Sequence, residues 1–196
     1  NREVSGMKIA VVNEITTAGR NVDVISALEG RGHEILNLGM TGTPGEPELD
    51  YLDIGIISGI TLNRGVADIV VGGCGSSQGF GIAAMQFPGV FCGNIRTPLD
   101  ALLFAQINGG NCISLMLNQH YGFGSDLNLR MIFDNFFSVD LGVGYPEHRK
   151  EPQRIARERL KAFSRSSHKN IQDIIDGLPE AVAQKISLIP QLKGFL

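Results

Sequence analysis

Cysteine is scarce in this chain of 196 residues, and the three present, Cys74, Cys92 and Cys112, follow no CxxC or Cys/His spacing. An odd count without ligand spacing excludes a disulfide framework and a zinc site, and reads as free thiols in a reducing compartment. No other grouping of His, Cys and carboxylates has metal-ligand spacing, so neither a metal nor a cofactor is expected. Long hydrophobic runs are missing too: Gly, Ser, Asn and charged residues interrupt every apolar stretch before the roughly 18 residues of a membrane span. Asn1 to Gly6 is polar and lacks the apolar centre of a signal peptide, so a soluble cytoplasmic protein without membrane contact is expected. Positive charge is not in excess, the formal net charge being −3. That balance offers no broad field for nucleic acid, so any bound anion must be held by a local cluster. What the chain does have is 43% hydrophobic residues against 19% charged, enough apolar material for one good core.

Strand signals recur with helical segments between them. Lys8–Asn13 (KIAVVN) is a short β-branched apolar run of the kind a parallel sheet buries on both faces. Val22–Glu29 has helical spacing and stops at the Gly30-Arg-Gly32 cap signal. Glu34–Leu38 reads as the second strand, and Gly39–Glu48 as a long loop. Leu49–Asn63 reads as a helix despite its glycines, Ala67–Gly73 as the third strand, and Phe80–Gln86 as a helix. Gly89–Gly93 is the expected fourth strand, Pro98–Ile107 a helix, Asn111–Met116 the fifth strand, and Met131–Val139 another helix. Near residue 145 the composition turns basic, and two more helices are expected over Pro152–Phe163 and Asn170–Ile189. Such alternation predicts a Rossmann-like three-layer α/β/α domain with a five-stranded parallel sheet over residues 7–150. Residues 151–196 would form a C-terminal helical extension that packs on the domain or on a partner subunit. In such sheets ligands sit beyond the carboxyl ends of the strands. That directs attention to Asn13-Glu14, to Cys74–Gly81, to Asn94–Thr97 and to the segment after Met116.

The richest stretch chemically is Gly72-Gly-Cys-Gly-Ser-Ser-Gln-Gly-Phe-Gly-Ile-Ala-Ala84. A glycine-rich turn between strand and helix exposes successive main-chain N–H groups, which together form an anion-binding nest. Cys74 stands at the strand end, where such amides favour a thiolate able to act as base or nucleophile. The alternative is a tight turn with an inert buried cysteine. The loop lacks the Lys-Ser/Thr pair of a P-loop, and it falls too late in the chain for a dinucleotide fingerprint.

Taken in order, Lys8–Glu14, Asp50-Tyr51, Cys74-Gly-Ser-Ser-Gln-Gly79 with Ile82-Ala-Ala84, Gly89-Val90, Asn108 and Asn111 resemble the type B ribose-5-phosphate isomerases and the related galactose-6-phosphate isomerase subunits. The resemblance runs roughly from Met7 to Ile155. It implies an aldose–ketose isomerase of a phosphorylated sugar, working without a cofactor. By resemblance Cys74 is the base that moves a proton between C1 and C2 through a cis-enediolate. Gly75, Ser77, Gln78 and Gly79 would contribute the anion hole, and Ser76 would touch the reactive end of the substrate. Asn13, Glu14 and Asn108 would contact the sugar, although Glu14 is equally suited to capping the turn that follows it. The family's phosphate-binding arginines are matched by Lys150 and Arg154, with Arg149 as a substitute for the first; the alternative is a solvated basic helix start. The same resemblance implies a homodimer or higher homo-oligomer in which this helix reaches the neighbouring subunit's site.

Three positions depart from the pattern. Ile107 stands where the family has a ring-opening histidine, and isoleucine transfers no proton. The arginine expected after the fifth strand is lost in the rewritten segment Leu117–Ser125, which carries His120 instead, either as a substrate contact or as an ordinary loop histidine. Ser77 occupies a position that is usually glycine. The substrate is therefore open to a different sugar phosphate, or to an open-chain sugar that needs no ring-opening acid. The competing reading is a non-catalytic sugar-phosphate binder.

Overall fold

The computed structural model describes residues 6–196. Its centre is a sheet of five parallel strands: β1 (Lys8–Asn13), β2 (Glu34–Asn37), β3 (Ile69–Cys74), β4 (Cys92–Ile95) and β5 (Cys112–Met116). The spatial order is β2-β1-β3-β5-β4. All six residues of β3 and five of the six in β1 are buried, as expected of unbroken apolar runs covered on both faces. One face is covered by α1 (Asn21–Leu28), α4 (Pro98–Leu103) and α5 (Ser125–Phe136), whose side chains pack on Ile9, Val11, Val71 and Ile113. The other is covered by α2 (Tyr51–Asn63) and α3 (Gln78–Ala84), packing on Ala10, Val12 and Val70. The predicted three-layer α/β/α architecture is the one observed.

The glycines of α2 have a packing reason. Asp50 and Asp53 form a reciprocal capping box, which starts the helix at Tyr51 rather than Leu49. Inside it, Gly55 and Gly59 face α3 and the loop after it. A Cβ on Gly55 would lie 2.5 Å from that of Ala83, and one on Gly59 would lie 2.1 Å from the Phe87 ring. The helix gives up about 1 kcal/mol of propensity at each site to bring α3 close.

Several boundaries differ from the sequence reading. The fourth strand begins at Cys92 instead of Gly89, because the Asn111 side chain clamps the preceding turn, accepting from Phe91 N (2.9 Å) and donating to Gly89 O (2.9 Å). The helix expected over Pro98–Ile107 leaves α geometry after Leu103 and finishes as a π-helical turn over Phe104–Asn108. α5 starts six residues before Met131, since its first turns are polar and hide the helical period. Ile15–Arg20 forms a 3₁₀ turn where only a loop was read.

Past the sheet, α6 (Lys150–Ser167) is long and mostly exposed, with Phe163 largely in solvent. The last expected helix is two: α7 (Ile171–Asp176) and α8 (Glu180–Ser187), broken at Gly177-Leu178-Pro179. Ile175, Ile186, Ile189 and Leu192 from this segment are buried in the same cluster as Ile57 and Val70, so the C-terminal helices complete the core on the α2 side. A Lys185 Nζ–Asp53 Oδ2 ion pair of 2.8 Å ties α8 to α2, with the Asp53 side chain almost fully buried. Among the described residues no helix is long and apolar enough to cross a membrane.

Candidate active site

The chain leaves β1 toward β2 on one side and returns to β3 on the other, so the connections after β1 and β3 diverge and leave a crevice between their carboxyl ends. Asn13 and Gly73 are register partners there, placing the first loop beside the Cys74 loop. Thr17 Oγ1 donates to Gly73 O at 3.3 Å, and Asn118 Nδ2 donates to Thr16 O at 2.9 Å. Gly75 therefore lies between the first loop and the segment after β5, where an added Cβ would stand 3.6 Å from Asn118 and 3.8 Å from Thr16.

Cys74 is the last residue of β3 and is 7% exposed, whereas Cys112 on β5 is sealed. Burial, then a hydrogen bond with Cys92 and its charge, push the Cys112 thiol well above its ordinary range, leaving it inert. The carbonyl of Cys74 accepts from Ser77 N (3.3 Å) and Leu117 N (3.2 Å), and that of Gly75 from Asn118 N (3.2 Å) and Gln119 N (2.9 Å). With the carbonyls tied back, the amides of Gly75, Ser76, Gln78 and Gly79 have no acceptor among the described residues. That is the geometry of an anion nest.

Ser77 shows how the loop tolerates losing its glycine. Its φ is +67°, so the left-handed turn is kept although the residue that makes it easy is absent. Ser114 Oγ, buried in β5, donates to Ser77 O at 2.7 Å and locks the conformation. The Ser77 hydroxyl is itself buried without a partner, as are both amide atoms of Asn13. Buried unpaired polar atoms are costly, and three of them flank the same crevice.

The other expected site residues are distributed unequally. Glu14 is buried and both carboxylate oxygens are occupied by Thr16, one by its amide at 2.9 Å and one by its hydroxyl, so the capping alternative is realised. Ser76 and Gln78 are exposed on the nest. Asn108 is exposed on the π-helical turn and lines a different cleft, of about 280 Å³, with Cys92 and Arg157. Lys150 lines a wide cleft with Met7 and His33, close to the amino ends of β1 and β2 and so at the opposite end of the sheet from Cys74. Arg154 is exposed and paired with Glu151 and Glu158, each at 2.6 Å; Arg149 is exposed just before α6. Within one subunit the basic group and the nest are apart. His120 is exposed, with φ +58°, in a cleft beyond β4 and β5. Sequence reasoning missed Ser114, Thr16 and Asn118, because a lone Ser, Thr or Asn carries no pattern until the fold sets it against the loop. Among the described residues no group of three or more His, Cys, Asp or Glu could hold a metal ion.

The ribose/galactose isomerase family model matches residues 9–154, a span that takes in the whole sheet and the Cys74 loop. The chain belongs to this family. No curated protein matches it in sequence. Among solved structures of the family's fold, a 4-deoxy-L-threo-5-hexosulose-uronate ketol-isomerase complexed with a tartrate is 32% identical with a TM-score of 0.91, covering 97% of this chain and 91% of that one. A ribose-5-phosphate isomerase from Vibrio parahaemolyticus is 34% identical with the same TM-score, covering 96% and 91%. A ribose 5-phosphate isomerase from Thermotoga maritima is 25% identical with a TM-score of 0.60, covering 75% of this chain and 97% of that one. The first two neighbours therefore extend over nearly the whole of this chain, the C-terminal helices included, and the third over three quarters of it. The family and these neighbours place the chain among sugar isomerases.

Proposed function

We propose that this protein interconverts an aldose and a ketose through a cis-enediolate, taking an open-chain sugar that ends in an anionic group. The observation that carries the reading is the placement of Cys74 beside the unpaired amides of Gly75, Ser76, Gln78 and Gly79 at the switch point of the sheet, the Ser77 amide expected among them being bonded to Cys74 O instead. In the proposed reaction the Cys74 thiolate removes the proton from C2 of the aldose. The electron pair moves through the C1–C2 bond onto the carbonyl oxygen, and the nest amides hold the oxyanion. The same sulfur returns the proton to C1, while the hydroxyl proton passes between O1 and O2, where Ser76 is at hand. A base placed once can serve both carbons because they lie on one face of the planar enediolate. Losing a single nest donor would cost about 3–4 kcal/mol of barrier.

Two observations favour an open-chain substrate over a cyclic pentose phosphate. Ile107 offers no acid for ring opening. The Arg154 guanidinium, assigned to phosphate by resemblance, is engaged by two carboxylates. Ribose 5-phosphate remains the competing substrate, with Lys150 and Arg154 then reaching the Cys74 loop of a second subunit in a homodimer. The test is exchange of the C2 proton with solvent deuterium over a panel of aldose acids and aldose phosphates. Cys74→Ala should reduce exchange by about 10²–10⁴-fold while leaving binding intact. Wild-type protein that binds a panel member but never exchanges its proton would instead be a non-catalytic binder, the reading that the missing histidine supports.

A further inference from the structure

The carboxyl ends of the strands carry a second opening. β4 and β5 end side by side, with Ile95 in register with Leu115, and beyond them lies a cleft of about 330 Å³. Its floor is formed by buried aliphatic side chains of β4, β5 and α5, and its rim carries Arg96, Gln119, His120, Ser125 and Asn128. The main chain of Arg96 is held on both sides: its amide donates to Asp100 Oδ2 at 3.0 Å and its carbonyl accepts from Asn128 Nδ2 at 3.0 Å. The exposed guanidinium has no hydrogen-bond or ion-pair partner among the described residues. The nearby Asp100 carboxylate accepts from the amides of Arg96 and Thr97 through Oδ2, in the capping box of α4, and makes no ion pair with the guanidinium among the described residues. An arginine whose base is fixed and whose head is free is prepared for a ligand.

The cleft shares a wall with the Cys74 loop. Gln119 N, one residue before His120, donates to Gly75 O, one residue after Cys74. Cys74 and Met116 are register partners, and β4 is the next strand over. At about 4.8 Å per strand, the tips of β3 and β4 are roughly 10 Å apart. An extended backbone advances about 3.5 Å over three bonds, so C2 and the terminal carboxyl of a six-carbon open-chain sugar are about 5 Å apart. The Cys74 sulfur packs on the α2 side of the sheet and the cleft opens on the α5 side, so the sugar has to cross the sheet edge past Met116, with a hydrogen bond of about 2.9 Å and the length of an arginine side chain to cover the remaining distance.

We propose that Arg96, with His120 beside it, holds the terminal anion of the sugar, carboxylate or phosphate, while the other end lies at Cys74. This rests on the isomerase reading, and it gives Arg96 the task that the arginine missing after β5 leaves open. The planar guanidinium suits bidentate capture of either group.

The test compares wild type, Arg96→Ala and Arg96→Lys in deuterium exchange with three open-chain sugars of matched length, ending in a carboxylate, a phosphate or a neutral hydroxymethyl group. Arg96→Ala should raise KM for the accepted anion by about 10–100-fold, with kcat little changed and the neutral sugar unaffected. Arg96→Lys should restore part of the loss, and the two charged arms decide which anion is used. An unchanged KM for the anionic sugars, or an equal change for the neutral one, overturns the assignment. If wild type exchanges no proton on any of them, the isomerase reading fails and tartrate titration followed by NMR tests the cleft alone. Tartrate binding that is weakened in Arg96→Ala then supports the site, whereas equal affinity, or no binding by wild type, overturns it.

Discussion

The most exposed point of this account is Ser77, because two separate costs meet in one small residue. Its φ of +67° places a Cβ in the left-handed region, at about 1–2 kcal/mol. Its hydroxyl is buried with no partner, at about 1–3 kcal/mol. Ser77→Gly removes both, but returns conformational freedom to the unfolded chain worth about 0.5–1 kcal/mol. The net expectation is a gain of about 1–4 kcal/mol, a rise in Tm of roughly 2–16 °C for a chain of this size. Ser77→Ala keeps the strained backbone and deletes the orphan hydroxyl, so it should gain less. Ser77→Val adds β-branching at positive φ and should lose 2 kcal/mol or more. Urea unfolding would read all three as midpoint shifts at constant slope. If the hydroxyl is kept for a ligand, Ser77→Ala should stabilise the protein and weaken substrate binding together, the trade expected of a functional site. A glycine variant no more stable than wild type, or a valine variant equal to alanine, would refute the reasoning.

Gly59→Ala drives a methyl into the Phe87 ring at 2.1 Å, and should cost about 1–3 kcal/mol in urea unfolding while shifting α3 and lowering activity. At neutral pH, iodoacetamide followed by peptide mapping should label Cys74 before half-buried Cys92, with Cys112 last because burial raises its thiol. Cys74 labelling no faster than Cys112 would argue against an activated thiolate. The pairing of Lys185 with Asp53 raises the lysine above its ordinary 10.5. Its stabilisation is then fully present below pH 10.5 and is lost as pH climbs through the raised value. Lys185 is 41% exposed, so solvent screening keeps Lys185→Met to about 1 kcal/mol of lost stability. Hydrogen exchange should show faster opening of α8 in that variant, and in wild type above pH 10.5.

The sequence by itself determined the layered architecture, because burial on both faces of a parallel sheet requires unbroken apolar runs such as Ile9–Val12 and Ile69–Val71, and these are local. It also placed Cys74 and its glycine-rich turn at a strand end, where main-chain amides lack partners whatever the rest of the chain does. Less legible were elements whose limits depend on distant groups. β4 is trimmed by the Asn111 clamp from the next strand, and α5 opens with the polar turns Ser125–Arg130, which have no apolar period of their own. Only the tertiary structure decided which strand ends meet. The order β2-β1-β3-β5-β4 sets Asn13 beside Gly73, brings Asn118 over Gly75 and Ser114 under Ser77, and opens the Arg96 cleft two strands from the thiol. It also leaves Lys150 near the amino ends of the strands, away from the nest of the same chain, so that the pairing implied by the resemblance needs a second copy. Adjacency of parallel strands is a long-range choice made by crossover connections, and nothing in a run of neighbouring residues records it.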